Sequence, residues 1–432
     1  MEINQSKIHP SALFCIEELV KNGFEAYLVG GAVRDLLIGK NPKDYDIVTN
    51  ATNSQIAGIF DNCELIGRRF PIALVRINRE IFEISTFVNG SEDQSLSVIL
   101  KREKGEDRIP GSMAEDSSRR DFTINALYYS PKENKIFDLE GGLEDLKQKK
   151  IRFIGNANHK IDEDPVRIIR AIRQSYQFDF PISDDLKDLF KKYSSRIDLS
   201  SKSRLIEEIG KIFGCGHSLN IFKELIELKV FSKAFPHFYQ FMSEELNQKG
   251  DIDLSAVISH IDGLVSQYGK MRESSLNGAL CLPFVCRNHP NIWEDQVGSF
   301  ELMAEIEASF KSIWLELTIK KWAKRNILDM YFSQWRFVFP KDKKIKSVFI
   351  YKEYFADSFR LFRFYSNLTG KFNDYLLFWD KVRKHPEVMN EFLDAFSRGQ
   401  DLNDEKLLTN AKKTNPKKGK WKSFRRKKSK RA

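Results

Sequence analysis

The chain has 432 residues, of which 41% are hydrophobic and 30% are charged, and its formal net charge is +10. This composition is typical of two to four folded units, and no apolar run reaches the roughly 18 residues that span a bilayer. The N-terminus lacks a basic segment followed by an apolar stretch, so we expect no secretory signal, no membrane partner and a cytoplasmic protein. Five scattered cysteines predict reduced thiols without structural zinc.

The positive charge is concentrated at the C-terminus. Twelve Lys or Arg and no acidic residue lie between Lys412 and Arg431, which leaves the rest of the chain close to neutral. A tail of this kind repels itself, stays disordered and attracts polyphosphate. An aromatic side chain within it could also stack on unpaired bases. We therefore predict RNA contacts from Lys417, Lys418, Trp421, Arg425 and Arg426, the alternative being a tail that only improves solubility.

The N-terminal third alternates between helical and extended patterns. Apolar residues on one face predict a helix over 11–22, and Gly30-Gly31 predicts a turn between a strand and a second helix. We predict strands at Glu25–Val29 and Tyr45–Val48, a helix at Ala32–Ile38, a hairpin from Ile72–Ile77 and Ile81–Phe87, and strands at Phe122–Tyr129 and Ile136–Leu139. Residues 89–118 are polar and lack a period, which predicts a long mobile loop.

From Asp164 onward the pattern is helical almost to the tail. Asp164-Pro165 is typical of an N-cap followed by proline at the first helical position. Leu205–Phe213 and Ile221–Val230 are amphipathic. The segment 240–405 is rich in aromatic residues, which we interpret as core rather than as ligand contacts.

Asp44 and Asp46 are the first candidates for chemistry. Period two puts both carboxylates on one face of a strand, where they repel each other unless a cation lies between them. Magnesium suits such a site, although a solvated turn would also explain the pair. Gly30 and Gly31 open a helix about thirteen residues earlier, so their N–H groups could approach a triphosphate that Arg34 also reaches. Asp35 is expected to be the structural partner of Arg34.

Two further segments offer polar groups. Glu83 lies in an otherwise apolar strand and could be a third metal carboxylate or a solvent-facing residue. In RRDFTINALYY, residues 119–129, the two arginines offer phosphate contacts, while Asp121 and Asn125 could bind a ribose or position a metal-bound oxygen. A capping role for Asp121 would be compatible with this.

The segment EDPVRIIRAIR, residues 163–173, places arginines on one side of a helix. Arg167, Arg170 and Arg173 recur every three residues and form a drifting cationic ridge, while the intervening apolar residues face a core. Asp164 and Arg167 lie one turn apart and could present a donor and an acceptor edge to a base. An ordinary helical salt bridge is the alternative.

Residues 28–52, 119–129 and 163–173 together resemble three consecutive motifs of the bacterial class II nucleotidyltransferases, which comprise CCA-adding tRNA nucleotidyltransferases and bacterial poly(A) polymerases. The resemblance is strong over about residues 8–180 and thin beyond about 245. Gly67-Arg68-Arg69-Phe70, the long loop and the basic tail resemble the poly(A) polymerase form. One departure is Gln174, where the family usually has phenylalanine.

The resemblance implies roles for individual residues. Asp44 and Asp46 match the catalytic metal ligands, Glu83 matches a third carboxylate, and Asp121 matches a further active-site position. Gly30, Gly31 and Arg34 match triphosphate contacts, and Arg120 and Asn125 lie near the ribose. Asp164 and Arg167 match the pair that reads the base, and we add Arg170 and Arg173 to the ATP-binding set. Arg68 and Arg69 are expected to contact RNA.

The resulting hypothesis is a template-independent transfer of AMP from ATP to RNA 3′ ends, with two Mg²⁺ ions and release of pyrophosphate. RNA-decay machinery or RNA chaperones are expected partners by resemblance. The alternatives are a CCA-adding enzyme and a non-catalytic RNA-binding protein on a nucleotidyltransferase fold.

The expected fold is α+β, with a small mixed-sheet head followed by helical regions. We predict a catalytic head at 1–158, a helical neck at 159–245, a helical body at 246–408 and a disordered RNA-binding tail at 409–432.

Overall fold

The computed structural model describes residues 2–67, 72–88, 109–250, 252–293, 299–339, 347–386, 389–399 and 402. The chain forms two compact units. The first contains Met1–Glu208 and Leu228–Val230, and the second contains Ile209–Glu227 and Phe231–Ala432. The α+β prediction, with a mixed-sheet head and a helical remainder, is confirmed. The finer division into head, neck, body and tail stays a prediction.

The sheet of the first unit has seven strands in its described part, in the order β3-β4-β5-β2-β1-β6-β7. β2 and β5 are parallel, and the other pairs are antiparallel. The strands are β1 (Ala26–Val29), β2 (Asp46–Thr49), β3 (Cys63–Ile66), β4 (Ile72–Ile77), β5 (Glu80–Thr86), β6 (Leu127–Ser130) and β7 (Lys135–Asp138). The predicted hairpin of β4 and β5 is confirmed.

Helices surround this sheet and continue to the end of the first unit. They are α1 (Pro10–Lys21), α2 (Gly31–Leu37), α3 (Asn53–Ile59), α4 (Met113–Arg119), α5 (Gly142–Lys147), α6 (Ala157–Glu163), α7 (Val166–Phe178) and α8 (Asp184–Tyr193); α9 (Lys202–Phe213) extends into the second unit. The apolar faces of α1 and of the sheet are buried together, with Cys15, Leu19 and Leu28 fully inaccessible to solvent.

The second unit is helical in its described residues. Its further helices are α10 (Ser218–Glu227), α11 (Pro236–Asn247), α12 (Leu254–Tyr268), α13 (Glu273–Leu280), α14 (Leu282–Asn288), α15 (Ser299–Glu316), α16 (Lys321–Phe332), α17 (Phe355–Thr369), α18 (Asn373–Lys384) and α19 (Met389–Ser397). Aromatic side chains fill its core, as predicted: Phe337 stacks on Phe362, and Trp379 donates a hydrogen bond to the Phe337 carbonyl oxygen at 2.9 Å. No helix in the described ranges has both the length and the apolar character needed to cross a membrane.

Two of the predicted elements are wrong in part. The segment predicted as a strand over Phe122–Tyr129 is a 3₁₀ turn at Thr123–Asn125 followed by β6. Within the turn, the Thr123 hydroxyl donates a hydrogen bond to Asp145 Oδ2 at 2.5 Å. The loop predicted over 89–118 contains α4, whose first turn is fixed by a capping box between Ser112 and Glu115. Residues 89–108 of that loop lie outside the described residues.

Candidate active site

The parallel pairing of β2 and β5 places two predicted metal ligands side by side. Asp46 begins β2, and its register partner on β5 is Glu83. Partners on neighbouring strands lie roughly 5 Å apart and point to the same face. Both residues are exposed, whereas Ile47 and Ile84, the next along each strand, are fully buried. Asp46 and Glu83, which we call the carboxylate row, therefore present two exposed carboxylates side by side on the sheet.

Asp44 is exposed and lies two residues before Asp46, outside the strand. In the part of the chain that the structure describes, no three acidic, His or Cys side chains gather closely enough to hold a metal ion. Magnesium requires less, because it is often held by one or two carboxylates with substrate phosphates and water. The paired carboxylates of Asp46 and Glu83 fit that donor set, and the assignment of metal ligands stays a prediction.

The predicted glycine turn packs against the RRDFTIN segment. Gly30 has φ 70° and ψ −125°, a conformation that side chains rarely adopt, and its N–H donates to the Leu127 carbonyl oxygen at 3.0 Å. A Cβ at Gly30 would lie 3.3 Å from Arg120 Nη1 and 3.4 Å from the Asn125 carbonyl oxygen. A Cβ at Gly31 would lie 3.4 Å from Arg34 Nη2. The turn thus brings together five residues that were predicted to bind the nucleotide.

Arg34 is almost completely buried next to this turn. Its Nη1 donates to Asn125 Oδ1 at 2.5 Å, and its Nε and Nη2 donate to Asp35 Oδ1 at 2.9 and 2.8 Å. The guanidinium lies 4.1 Å above the centre of the Phe178 ring. Burial lowers the pKa of Arg34, and the charge of Asp35 partly offsets this. The structural role predicted for Asp35 is therefore confirmed, while phosphate binding by Arg34 stays a prediction.

The amide of Asn125 is held on both ends. Its Nδ2 donates to Asp121 Oδ1 at 3.1 Å and to Gln174 Oε1 at 3.2 Å, while its Oδ1 accepts from Arg34. Asn125 and Gln174 are both buried. Gln174, which departs from the family pattern, is therefore part of a hydrogen-bonded group with Arg34, Asp121 and Asn125, which we call the Asn125 network. The sequence shows Gln174 as a departure but does not reveal its partner, because 49 positions separate it from Asn125.

Asp121 is buried and charged. Its Oδ2 lies 2.9 Å from Arg170 Nη2, and its Oδ1 accepts the Phe122 N–H at 2.8 Å. Burial by itself would raise the pKa of Asp121, but the positive charge of Arg170 and the bonds from Asn125 and Phe122 lower it. The same pair raises the pKa of Arg170 against the opposing effect of burial. Arg170 is therefore the counter-ion of the Asp121 carboxylate, and a role of Asp121 in an active site stays a prediction.

Arg120 forms a second network beneath the glycine turn. Its Nε and Nη2 donate to Asp116 Oδ2 at 3.1 and 3.0 Å, and the Tyr128 hydroxyl donates to the same oxygen at 2.6 Å. Burial raises the pKa of Tyr128, so the hydroxyl stays protonated. Tyr128 is the register partner of Val29, and Val29 is the register partner of Asp46. Tyr128 therefore lies in the same row of paired residues across the sheet as Asp46. Asp116 and Tyr128 had not been predicted.

The structure does not join the Asp164 and Arg167 side chains. Asp164 forms a two-point ion pair with Arg204 at 3.0 and 2.6 Å, whereas Arg167 donates to the Lys160 carbonyl oxygen and to Glu163 Oε2, the latter at 3.1 Å. The predicted N-cap at Asp164 is also wrong, because its carboxylate is occupied by Arg204 and α7 begins after Pro165 without a side-chain cap.

The cationic ridge predicted on α7 is neutralised along its length. Arg167 pairs with Glu163 and Arg170 with Asp121. Arg173 pairs with the buried Glu208 at 3.1 Å and donates to Gln177 at 3.2 Å. The partners of Asp164, Arg170 and Arg173 are distant in sequence, which is why the pattern within the helix did not reveal them. Arg68 and Arg69 lie outside the described residues, as do Lys417, Lys418, Trp421, Arg425 and Arg426.

Comparisons with known proteins fall on these same segments. The family model "Poly A polymerase head domain" matches residues 26–152, and "Probable RNA and SrmB- binding site of polymerase A" matches residues 179–242. The Poly(A) polymerase I of Salmonella typhi is 36% identical over 284 residues, which cover 64% of this chain and 61% of that protein. The CCA-adding enzyme of Staphylococcus aureus MRSA252 is 33% identical over 244 residues, covering 56% of this chain and 59% of that protein.

The chain thus matches less than two thirds of the length of these relatives. Among solved structures, a Bacillus stearothermophilus CCA-adding enzyme in complex with CTP has the same fold, with a TM-score of 0.51 and 20% identity over 95% of this chain and 100% of that one. The head-domain match covers the carboxylate row, the glycine turn and the Asn125 network except Gln174. Residues 26–152 and 179–242 are thus similar to segments of poly(A) polymerases, and the matched relatives include both poly(A) polymerases and CCA-adding enzymes.

Proposed function

We propose that this protein transfers AMP from ATP to the 3′ ends of RNA without a template and releases pyrophosphate. The observation that carries the proposal is the assembly of the carboxylate row, the glycine turn and the Asn125 network within one unit. Four separate segments of sequence build it, around the glycine turn and Asp46, Glu83, Asn125 and Gln174. Together they contribute the residue types that bind the parts of a nucleotide triphosphate. A cytoplasmic location belongs to the same proposal.

The residues divide into groups by their chemistry. Asp44, Asp46 and Glu83 would hold Mg²⁺, which supplies positive charge to the triphosphate and lowers the pKa of the attacking hydroxyl. The N–H groups of the glycine turn and the guanidinium of Arg34 would bind phosphate oxygens. The Asn125 amide, fixed by its neighbours, would orient the ribose. No histidine base is required by this arrangement.

The base would be read at the start of α7. Asp164 and Arg167 supply a carboxylate and a guanidinium there, and each is already held by a neighbouring side chain. Side chains held in this way lose little conformational entropy on binding, so they can discriminate between bases. We include Arg204 in this group, because it fixes both oxygens of Asp164.

AMP addition is favoured over CCA addition by the matched relatives. The poly(A) polymerase I proteins of Salmonella typhi and Escherichia coli O157:H7 are 36% and 38% identical over 64% and 60% of this chain, whereas the Staphylococcus aureus CCA-adding enzyme is 33% identical over 56%. The RNA would be held through its phosphates by Arg68, Arg69 and the basic tail. RNA-decay proteins or RNA chaperones remain proposed partners.

The nucleotide preference tests this proposal against CCA addition. The full chain is incubated with Mg²⁺, each NTP separately, and either a short unstructured RNA or a tRNA that lacks its terminal CCA. We expect long homopolymers on the unstructured RNA with ATP alone. Addition confined to C, C and A on the tRNA would establish the CCA-adding alternative instead.

Substitution of the carboxylates tests whether the protein is catalytic at all. We expect Asp46→Asn and Glu83→Gln each to lower the rate of AMP transfer at least a hundredfold while RNA binding is retained. Glu64→Gln is the matched control, because Glu64 is exposed and lies in the same row, opposite Leu74, which in turn pairs with Glu83. Unchanged transfer in Asp46→Asn would support a non-catalytic RNA-binding protein.

A further inference from the structure

The second unit contains a cavity between α12, α13 and α17. Its volume is about 250 Å³, and every residue that lines it belongs to this unit. The polar part of the lining comes mainly from His260, Ser275 and three arginines, Arg272, Arg360 and Arg363. The residues of the candidate active site all lie in the first unit, so this cavity is a separate feature of the molecule.

Two buried polar atoms in the lining have no hydrogen-bond partner within the described residues. They are Nε2 of His260 and Oγ of Ser275, and Ser275 is only 8% exposed. Burial lowers the pKa of His260, so near neutral pH the imidazole is neutral and offers one donor and one acceptor. Buried polar atoms are nearly always paired, so these two indicate a missing polar partner.

The charge of the lining is one-sided. The residues that line the cavity include Arg272, Arg360 and Arg363 but no carboxylate. Arg360 is paired with Asp357 and Arg363 with Asp380, both outside the lining, whereas Arg272 is exposed and forms no ion pair with any described residue. An anionic group at the opening would therefore find at least one unneutralised guanidinium and the free donors of two others.

Apart from Asn367, the rest of the lining is apolar. Leu264, Met271, Leu361 and Phe364 supply most of it, and the edge of the Phe364 ring meets the His260 ring with centroids 4.7 Å apart. A flat heterocycle fits such walls, because it buries apolar surface and still presents polar edges. The volume is near the lower end for ligand pockets and would accommodate about one nucleoside.

We propose that this cavity binds one phosphorylated nucleoside, with the base between the apolar walls and within reach of His260 and Ser275, and with the phosphate at the arginines. This ligand could be a free nucleotide or one nucleotide unit of an RNA chain, since both present a base, a sugar and a phosphate. The proposal that the cavity binds a nucleotide does not depend on the proposed transfer reaction. Only the possibility that the ligand is a unit of an RNA chain rests on that reaction.

The direct test is calorimetric titration of the full chain with AMP, adenosine and inorganic phosphate. We expect Arg272→Glu to remove a component of AMP binding, weakening it at least about tenfold, the usual effect of losing a bond to a charged group. Adenosine and phosphate should each bind at least about tenfold more weakly than AMP. Lys321→Glu is the matched control, because it reverses one exposed charge in the same unit outside the lining and should leave AMP binding unchanged.

Ser275→Ala separates ligand binding from structure. Removing an unpaired buried hydroxyl should leave the midpoint of thermal unfolding without ligand unchanged or higher, while AMP binding weakens about fivefold. Equal AMP binding in Arg272→Glu and Lys321→Glu would overturn the proposal. Phosphate binding as tight as AMP binding would also overturn it, because the cavity would then be a simple anion site.

A labelled hexa-adenylate RNA distinguishes the two sources. If its affinity falls in Arg272→Glu and AMP competes for it, the ligand is a unit of the RNA chain; if only AMP binding depends on Arg272, the ligand is a free nucleotide. The same titrations in Asp46→Asn keep this proposal apart from the transferase proposal. The AMP component should persist there even if no protein variant transfers AMP.

Discussion

Two of the three side chains that hold the Asn125 amide come from distant parts of the chain. Arg34 lies in α2 and Gln174 in α7, and together with Asp121 they leave the amide little freedom to rotate. A ribose-binding group that is already oriented loses little entropy when the nucleotide binds. Gln174 therefore contributes to this orientation through a buried hydrogen bond.

We predict that Gln174→Leu raises the KM for ATP about five- to thirtyfold with a smaller change in kcat. The substitution leaves one buried N–H of Asn125 without an acceptor, at a cost of about 1–2 kcal/mol, and frees the amide to turn. Steady-state kinetics with saturating RNA measures this. Gln148→Leu, at an exposed site of the first unit, should change neither constant. A fall in kcat with an unchanged KM would contradict a positioning role.

The ion pair of Asp121 and Arg170 makes a prediction about pH. The pKa of Asp121 is lower in the folded chain than in the unfolded chain, so the pair stabilises the fold above about pH 4 and this contribution is lost as the pH falls further. Asp121→Asn should therefore lower the free energy of unfolding by about 2–3 kcal/mol at pH 7, since one third of Arg170 stays exposed and the loss is less than for a fully buried pair.

Urea denaturation of both proteins between neutral and acidic pH measures this difference. It should shrink as the pH falls below about 4, because Asp121 then takes up a proton in the unfolded chain while it is still charged in the folded chain. Asp61→Asn, at an exposed carboxylate, should give a small difference that does not depend on pH. A difference for Asp121→Asn that grows towards acid would show that the pair is not the source of the stability.

At the scale of the element, one helix start fixes the position of the RRDFTIN segment. Gly142 begins α5, and a Cβ there would lie 2.3 Å from the Thr123 carbonyl oxygen. This approach is possible because glycine has no side chain. The 3₁₀ turn that carries Asn125 is thereby packed directly against α5.

We predict opposite effects for two glycine-to-alanine substitutions. Gly142→Ala should destabilise the first unit by about 1–3 kcal/mol, because the new methyl group forces the Thr123 backbone to move. Gly58→Ala should stabilise it by about 0.5–1 kcal/mol, because Gly58 lies inside α3 with nothing within 4 Å of its Cβ position. Thermal and urea unfolding measure both. Equal effects of the two substitutions would show that the close approach at Gly142 has no energetic weight.

Local patterns predicted most of the elements around the site. Short apolar runs bounded by turn residues identified β1, β2, β4, β5 and β7, although only β4 and β5 alternate between buried and more exposed residues. β3 was missed because most of its residues are exposed at the sheet edge and give no alternation. The short helices α3 and α4 were missed although each begins with a capping box, since a helix of about two turns has too few apolar positions to show a period.

The site itself was predictable in its residues but not in its contacts. Asp46, Glu83, Gly30 and Asn125 were all singled out from the sequence, and the fold brings the first two together and the last two together. The partners Gln174 and Arg204 were not assigned, because hydrogen bonds between distant residues leave no periodic signal in the chain. Asp116 lies only four residues before Arg120, but on the helix α4 that was not predicted. The metal and nucleotide roles of these residues stay predictions.

At the scale of the whole molecule, charge is distributed unevenly along the chain. Half or more of the RNA attraction is expected from the basic tail after residue 408, because the remaining chain is close to neutral. Each phosphate contact made by a Lys or Arg releases counterions. The logarithm of the RNA affinity therefore falls linearly with the logarithm of the salt concentration, with a slope proportional to the number of contacts.

We predict that deleting residues 409–432 weakens RNA binding and flattens its dependence on salt. Transfer of a single nucleotide at saturating RNA should change less than about threefold, since the candidate active site is retained. Fluorescence anisotropy over a series of KCl concentrations measures the slope. A tail with scrambled order and unchanged charge should restore it, whereas one with every Lys and Arg changed to Gln should not. Full restoration by the glutamine tail would contradict the electrostatic explanation.

The order of strands in the sheet has a consequence for how the protein is made. β1 lies between β2 and β6, so the row from Tyr128 through Val29 and Asp46 to Glu83 joins segments that are synthesised about one hundred residues apart. Contacts of such long sequence separation form late in folding. A growing chain on the ribosome therefore carries Asp46 and Glu83 well before it contains β6, and a chain that ends before Leu127 lacks the strand that pairs with the other edge of β1.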